Sequence, residues 1–373
     1  MRPLSEWIVE DPYDILYDFD NLHSAYWDAS HGKRDHAFVA RYEANLLENL
    51  WNLSDKLERR VYKPTRPYFF YVYEPKKRLV CANNFEDKIV QHSLCDNILH
   101  PVLFPHLIKD NYASQPGKGT DFGLDRLSHH LRRYVKRNGV DGYIFRGDVR
   151  KFFDSIDREI LLDMVHEKIP SDDLRTFLSN YYKDTRFAAT GIPIGFQSSQ
   201  VFAVFYLSPF DHFVKEKLGI KYYGRYMDDF FLIHPDMKYL RECEQAIREF
   251  LSRYNMHLNE KTNIFPLRNG IRFLGFTSYV DKNGKVIQKL MNESKYKERR
   301  LLRYFRIFLD KGILTFDYIE QSYQSWRAHA KRGNSFYLIA SMDQYFHELF
   351  KHEMDTYGLH YIADFVEKAY REH

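Results

Sequence analysis

The sequence predicts an α+β fold in which a small antiparallel sheet is backed by helices. Three observations lead there. The middle of the chain reads strand, helix, hairpin, helix, strand, an order that packs a short sheet against two helices. Hydrophobic residues make up 44% of the 373 residues, enough to bury a sizeable core in a chain long enough for two or three lobes. No internal repeat, low-complexity tract or apolar run near the ~18 residues of a membrane span interrupts the pattern.

Taken in order, residues 36–62 carry apolar side chains at helical spacing and stop at Lys63-Pro64. Residues 68–73 (YFFYVY) are aromatic and β-branched. With Arg78-Leu79-Val80-Cys81 they read as a hairpin around Glu74-Pro75-Lys76-Lys77. Helices are expected at 85–100 and, after the turn-rich Gln115-Pro116-Gly117-Lys118-Gly119, at 121–137. A strand is expected at 142–149, then helices at about 157–166 and 172–183, and after the loop 191–195 another at about 198–217. Residues 220–226 and 230–234 read as two strands flanking Met227-Asp228-Asp229, a hairpin tip. A helix at 237–254, strands near 263–266 and 271–280, and helices from 293 to the end complete the reading.

The formal charge is only +4, from 55 basic and 51 acidic residues, so net charge does not announce a polyanionic partner. Its distribution does. Residues 56–78 hold eight Lys or Arg against Glu58 and Glu74, and residues 285–310 hold eight against Glu293, Glu298 and Asp310. Two such stretches could form walls of a phosphate-lined groove, or be solvated helix faces. Cys81, Cys95 and Cys243 show neither metal-ligand spacing nor an even count for disulfides. The N-terminus lacks the apolar core of a signal peptide, so a soluble, cytoplasmic protein is expected.

The carboxylates carry the chemistry. Asp148 ends an apolar strand, and Asp228 and Asp229 sit between KYYGRY and FFLIH. If these elements are neighbours in one sheet, three acids converge at one end of it. Two-metal phosphoryl transfer needs that arrangement, with ions roughly 4 Å apart serving the attacking 3′ hydroxyl and the leaving pyrophosphate. An Asp-Asp pair in a turn is most often only solvated. Here apolar strands frame it and a second strand-end Asp accompanies it.

Tyr226-Met227-Asp228-Asp229 resembles the polymerase signature of reverse transcriptases, and the resemblance covers almost the whole chain. The stretch from Gly147 to Asp157 is similar to the family's first catalytic motif. The match implies metal ligands at Asp148, Asp228, Asp229 and the backbone carbonyl of Val149, holding two Mg2+ ions, with Mn2+ as an alternative. Phe153 falls where the family keeps an aromatic that blocks a 2′ hydroxyl. Lys261 resembles the lysine that protonates the leaving pyrophosphate. Phe273-Leu274-Gly275-Phe276 resembles the primer grip. Lys76, Lys77 and Arg78 lie in the hairpin that holds the incoming triphosphate, with Arg78 suited to a bidentate grip. The implied fold is a right hand: fingers at 1–138 with a further segment at about 160–193, palm at 139–290 and thumb at 291–373. Arg299, Arg300 and Arg303 on the first thumb helix would follow primer–template phosphates.

Within the family, Gly191-Ile192-Pro193-Ile194-Gly195-Phe196-Gln197-Ser198-Ser199-Gln200 is the most specific segment. Most reverse transcriptases have Gln at Ile194 and Pro at Gln200. The combination here resembles the enzymes of diversity-generating retroelements, although many of those carry Asn at Phe196. Such enzymes copy a template RNA into cDNA from dNTPs and misincorporate opposite adenine, and they work with a small basic accessory protein. Gly195 and Gln200 would then border the nucleotide site with Ile194. The other readings are a defence-associated or unclassified bacterial reverse transcriptase and a non-catalytic RNA-binding scaffold of the same fold.

Overall fold

The computed structural model describes residues 11–73, 76–184, 188 and 190–359. The chain forms two compact units, Met1–Gly123 with Phe145–Ile264, and Leu124–Ile144 with Phe265–His373.

In the first unit, strands β1 (Tyr68–Val72) and β2 (Arg78–Ala82) pair antiparallel as a two-stranded ribbon. Glu74 and Pro75, in the expected turn, lie outside the described residues. The principal sheet contains β3 (Tyr143–Asp148), β4 (Tyr222–Tyr226), β5 (Asp229–His234) and β6 (Asn263–Pro266), in the order β4-β5-β3-β6. Hence β3, bearing Asp148, lies directly beside β5, which starts at Asp229. Phe145 and Phe230 meet edge to face across this pair at 5.9 Å. Phe210 packs on Phe230 at 5.0 Å, and Phe250 from the helix Met237–Ser252 packs on Phe210 at 6.1 Å. Phe145, Phe210 and Phe230, all buried, and the half-buried Phe250 thus seat the helices on one face of the sheet, where each contributes a large apolar area.

The helix starts follow from capping side chains that satisfy otherwise orphaned amides. Asp157 caps Arg158–Lys168, Ser171 caps Asp172–Tyr182, and Asp236 caps Met237–Ser252. Other elements differ from expectation. The helix expected over 36–62 is two, Ala37–Glu43 and Leu46–Glu58. The one expected over 198–217 divides into Gln197–Tyr206, Ser208–His212 and a π-helical turn, Phe213–Lys217. Pro209 has no amide proton to donate back to the preceding turn, which accounts for the break. A second π turn, Cys95–Leu99, interrupts the helix expected over 85–100.

In the second unit, the strand expected over 271–280 is instead a hairpin of β7 (Ile271–Phe273) and β8 (Phe276–Val280), with β9 (Val286–Leu290) beside β8. Phe273 faces Phe276 across a tight turn in which Leu274 takes a left-handed φ of 50°. Helices Asn292–Asp310, Phe316–Ala330 and Phe336–Thr356 pack through Leu302, Phe305, Tyr323, Phe346 and Phe350. Among the described residues, no helix is long and apolar enough to cross a membrane.

Candidate active site

The pairing register separates the two adjacent acids. Tyr226 faces Asp229, so Met227 and Asp228 alone make the turn and Asp229 is the first residue of β5. Met227 sits at a left-handed φ of 54°, an uncommon conformation for a side chain of its size. The turn is anchored on both sides. The amide of Val149 donates to the Asp228 carbonyl at 3.2 Å, and Arg225 Nη1 donates to the Met227 carbonyl at 2.9 Å.

Asp148 and Asp228 are brought together and interact directly. Burial, and then the neighbouring charge of Asp148, push the Asp228 carboxyl up to about 7. Asp229 has a partner of its own beside this pair. Arg146 grips it in a two-pronged ion pair, Nε to Oδ1 at 3.0 Å and Nη2 to Oδ2 at 2.8 Å. Its carboxyl is still raised, because burial outweighs the favourable Arg146 contact. Asn259 completes the enclosure, its Nδ2 donating to Asp148 Oδ2 at 3.2 Å and its amide to the Asp148 carbonyl at 2.7 Å. Gly147 makes the close packing possible. A Cβ there would lie 2.2 Å from the Phe230 ring.

Arg146 and Asn259 were not among the residues expected from sequence. A signal existed for Arg146: two residues before Asp148 on one strand, it projects from the same face of the sheet. Asn259 is supplied by an isolated bridge between Val149 and Leu258, which sequence spacing does not reveal.

A family model described as "Reverse transcriptase (RNA-dependent DNA polymerase)" matches residues 63–278, more than half of the chain. The chain belongs to the reverse transcriptase family. Over 76 residues, 20% of this reverse transcriptase and 8% of the relative, it is 40% identical to Protein P of Duck hepatitis B virus, strain United States/DHBV-16. It is 38% identical over 78 residues to Protein P of the brown Shanghai duck S5 isolate, 20% of this chain and 9% of that one. The chain thus spans less than a tenth of the length of these relatives. Among solved structures, telomerase from Candida albicans in complex with a TWJ fragment of telomeric RNA aligns with TM-score 0.46 and 10% identity, over 71% of this chain and 55% of that one. Apo telomerase from Candida tropicalis, truncated from its C-terminal domain, aligns with TM-score 0.46 and 15% identity, over 61% and 56%.

Around the carboxylates of this reverse transcriptase, the loop 191–195 docks on β2. The Cys81 amide donates to the Ile194 carbonyl at 2.7 Å. Gly195 has φ +123°, and a Cβ on it would come within 2.4 Å of the Cys81 carbonyl oxygen. Only glycine permits that approach. Ile192 donates its amide to the Phe153 carbonyl at 3.0 Å, tying the same loop to the segment after Asp148. The Phe153 and Ile194 side chains are half-buried. Gln200 is exposed on the helix Gln197–Tyr206 and accepts from Ser114 Oγ at 3.0 Å.

Lys76 and Arg78 are exposed on the ribbon, three and more residues from the Cys81 contact, and Lys77 lies over the Tyr71 ring at 4.3 Å. Lys261 is exposed two residues beyond Asn259, its amide on Asn259 Oδ1 at 3.2 Å. Phe273, Leu274 and Gly275 belong to the second unit, as do Arg299, Arg300 and Arg303. There, Lys297, Arg299, Arg300, Arg303, Tyr296 and Tyr345 line an open cleft of about 590 Å³, with Arg299 stacked over Tyr345 at 5.0 Å.

Reverse transcriptases use divalent metal ions. The donor chemistry of Asp148, Asp228 and the Val149 carbonyl is all oxygen, which suits a hard cation such as Mg2+. Burial and the Asp148 charge raise the Asp228 carboxyl, and a bound cation would offset both. The residues present therefore fit the ions the family uses.

Proposed function

We propose that this reverse transcriptase is an RNA-directed DNA polymerase that copies a template RNA into cDNA, and that it is the error-prone enzyme of a diversity-generating retroelement. The observation that carries the polymerase reading is the contact between Asp148 at the end of its strand and Asp228 in the adjoining turn. In this reading Asp148, Asp228 and the Val149 carbonyl hold two Mg2+ ions, and Asp229 steadies the turn through Arg146. Bound there, the ions would activate the 3′ hydroxyl and neutralise the leaving pyrophosphate. Lys261 supplies a proton to that pyrophosphate, and Lys76 and Arg78 grip the incoming triphosphate. Phe153 screens the 2′ position, Phe273-Leu274-Gly275 steady the primer, and Arg299, Arg300 and Arg303 take the duplex phosphates. Residues 1–138 with about 160–193 act as fingers, 139–290 as palm and 291–373 as thumb. The partners are template RNA, the cDNA strand and a small basic accessory protein, in the cytoplasm of a bacterial, phage-infected or archaeal cell.

Ile194 and Gln200 support the subtype. A Gln at position 194 can hydrogen-bond the nascent pair and penalise a misplaced nucleotide, and an aliphatic side chain removes that contact. One hydrogen bond is worth about 1 kcal/mol, roughly fivefold in discrimination. The loss therefore accounts for part of a high error rate, not for an adenine preference.

The test is metal-dependent primer extension on one defined RNA, followed by deep sequencing of the cDNA. The wild type is expected to extend and to misincorporate most opposite template adenine. Asp148→Ala and Asp228→Ala are expected to abolish synthesis while retaining RNA binding, and Ile194→Gln to lower the adenine error rate. Extension by either alanine variant at the wild-type rate would remove the site. Uniformly low wild-type errors would move the protein to the defence-associated reverse transcriptases.

A further inference from the structure

The first unit holds a second set of ligand-type side chains, separate from the palm carboxylates. Asp28 comes from the helix Phe19–Ser30, His92 from the helix Phe85–Leu94, and Asp96 from the π turn Cys95–Leu99. One ligand atom from each lies within 4.8 Å of the other two. The distance from His92 Nδ1 to Asp96 Oδ2 is 3.1 Å. The other oxygen of Asp96, Oδ1, accepts from Gln197 Nε2 at 2.9 Å and lies 3.4 Å from His100 Nδ1.

We infer that Asp28, His92 and Asp96 form a zinc-binding site distinct from the polymerase centre. The donor set is two carboxylates and one imidazole. Zinc takes nitrogen and oxygen at about 2.0–2.2 Å, so two ligands on neighbouring tetrahedral corners stand about 3.3 Å apart. The His92–Asp96 edge already has that length. Mg2+ prefers an all-oxygen octahedral shell, so the imidazole discriminates against the ion expected in the palm. The two carboxylates carry the charge that a divalent cation cancels.

The surroundings are built for a ligand rather than for a loose ion pair. Metal-bound carboxylates are typically held by hydrogen bonds to the oxygen that does not face the metal. Gln197 and His100 occupy that position on Asp96. Gln197 Nε2 makes this contact while its Oε1 is buried and makes no hydrogen bond. π turns are rare and concentrate at functional sites, and this one carries Asp96 itself. Asp28 is exposed, so solvent reaches this side of the cluster.

The site would also stiffen the seat of the nucleotide loop. Gln197 opens the helix that follows Phe196, and the next amide, Ser198, donates to Gln91 Oε1 at 3.1 Å on the His92 helix.

The experiment uses the full chain, stripped with a chelator and returned to excess Mg2+, then titrated with zinc by calorimetry and thermal denaturation. One zinc per chain and a rise in the melting midpoint are expected. Asp28→Asn, at an exposed position, and His92→Gln should each weaken zinc at least tenfold, with Asp228→Asn retaining it. Absence of saturable zinc binding by the folded wild type would overturn the assignment. So would zinc bound equally by the Asp28 and His92 variants, or zinc lost only in Asp228→Asn, which would place the ion in the palm.

Discussion

Behind the Met227-Asp228 turn lies a fully buried ion pair whose removal should be costly. Arg225 and Asp211 are both 0% exposed. Asp211 accepts from Arg225 Nε at 2.7 Å and Nη2 at 2.6 Å, from Tyr223 OH at 2.5 Å and from Asn111 Nδ2 at 3.1 Å. Two further guanidinium donors reach the carbonyls of Val204, at 3.0 Å, and Met227, at 2.9 Å. Asp211→Ala strands a buried cation, which costs about 3–5 kcal/mol. It also orphans the Tyr223 hydroxyl and the Asn111 amide, about 1 kcal/mol more once non-additivity is allowed for. A loss of about 4–6 kcal/mol is a large part of typical domain stability and should lower the melting midpoint by roughly 10–20 °C. Pairing Asp211→Leu with Arg225→Met removes both charges together and should recover most of that stability. It leaves the Met227 carbonyl without its donor, so polymerisation should stay impaired in a well-folded protein. The assay is thermal denaturation of both single variants and the double, with primer extension on each. An Asp211→Ala loss below about 1 kcal/mol would refute the reasoning, as would a double variant no more stable than the singles.

The Gly195 approach to Cys81 predicts that Gly195→Ala loses about 1–3 kcal/mol and raises the KM for dNTPs, read by denaturation and steady-state extension. Replacing Arg299, Arg300 and Arg303 with Gln should weaken primer–template binding about equally for all sequences and flatten the salt dependence by about one log–log unit per lost contact, measured by binding titrations at several salt concentrations. Burial pushes the Glu298 carboxyl from 4.5 to about 7. Its protonated form is therefore favoured in the folded state, and the stability it confers, full below about pH 4.5, is lost as pH rises through 7. Glu298→Gln should accordingly gain about 1–2 kcal/mol above pH 7, after discounting for residual solvent contact, and flatten the melting curve between those pH values.

The elements legible in the sequence are those whose local pattern and tertiary environment agree. The apolar strand ending at Asp148 and the pair of strands around Met227 are buried among aromatics, so composition and position point the same way. The breaks were harder to read. Residues 271–280 are β-rich throughout, and the turn at Leu274-Gly275 needs a left-handed φ that Leu does not advertise. The π turns leave helical periodicity almost intact while adding a residue, so pattern alone reads through them. In the candidate site, the acids were legible as residue types at strand ends, but their partners were not. Asp211 and Arg225 stand 14 residues apart on a helix and a strand, and only the packing of that helix on the sheet makes them one unit. Charge counts treat both as ordinary surface residues.

The register explains why two neighbouring acids have different partners. With Tyr226 opposite Asp229, the turn contains Asp228 and the strand contains Asp229, so the two side chains leave the backbone in different environments. Arg146, on the face of β3 that carries Asp148, meets Asp229 and neutralises it. What remains is one pair of carboxylates, Asp148 and Asp228, held close by the Val149 amide and Asn259, with the Asp228 carboxyl pushed toward protonation by burial and by the charge of Asp148. Three uncompensated acids would repel too strongly to stay buried, and a single one would hold a cation weakly. Balancing one acid internally leaves a charge that divalent ions and substrate phosphates can complete. The local strain at Met227 and the buried Arg225 beneath it are the structural cost of holding that pair in place.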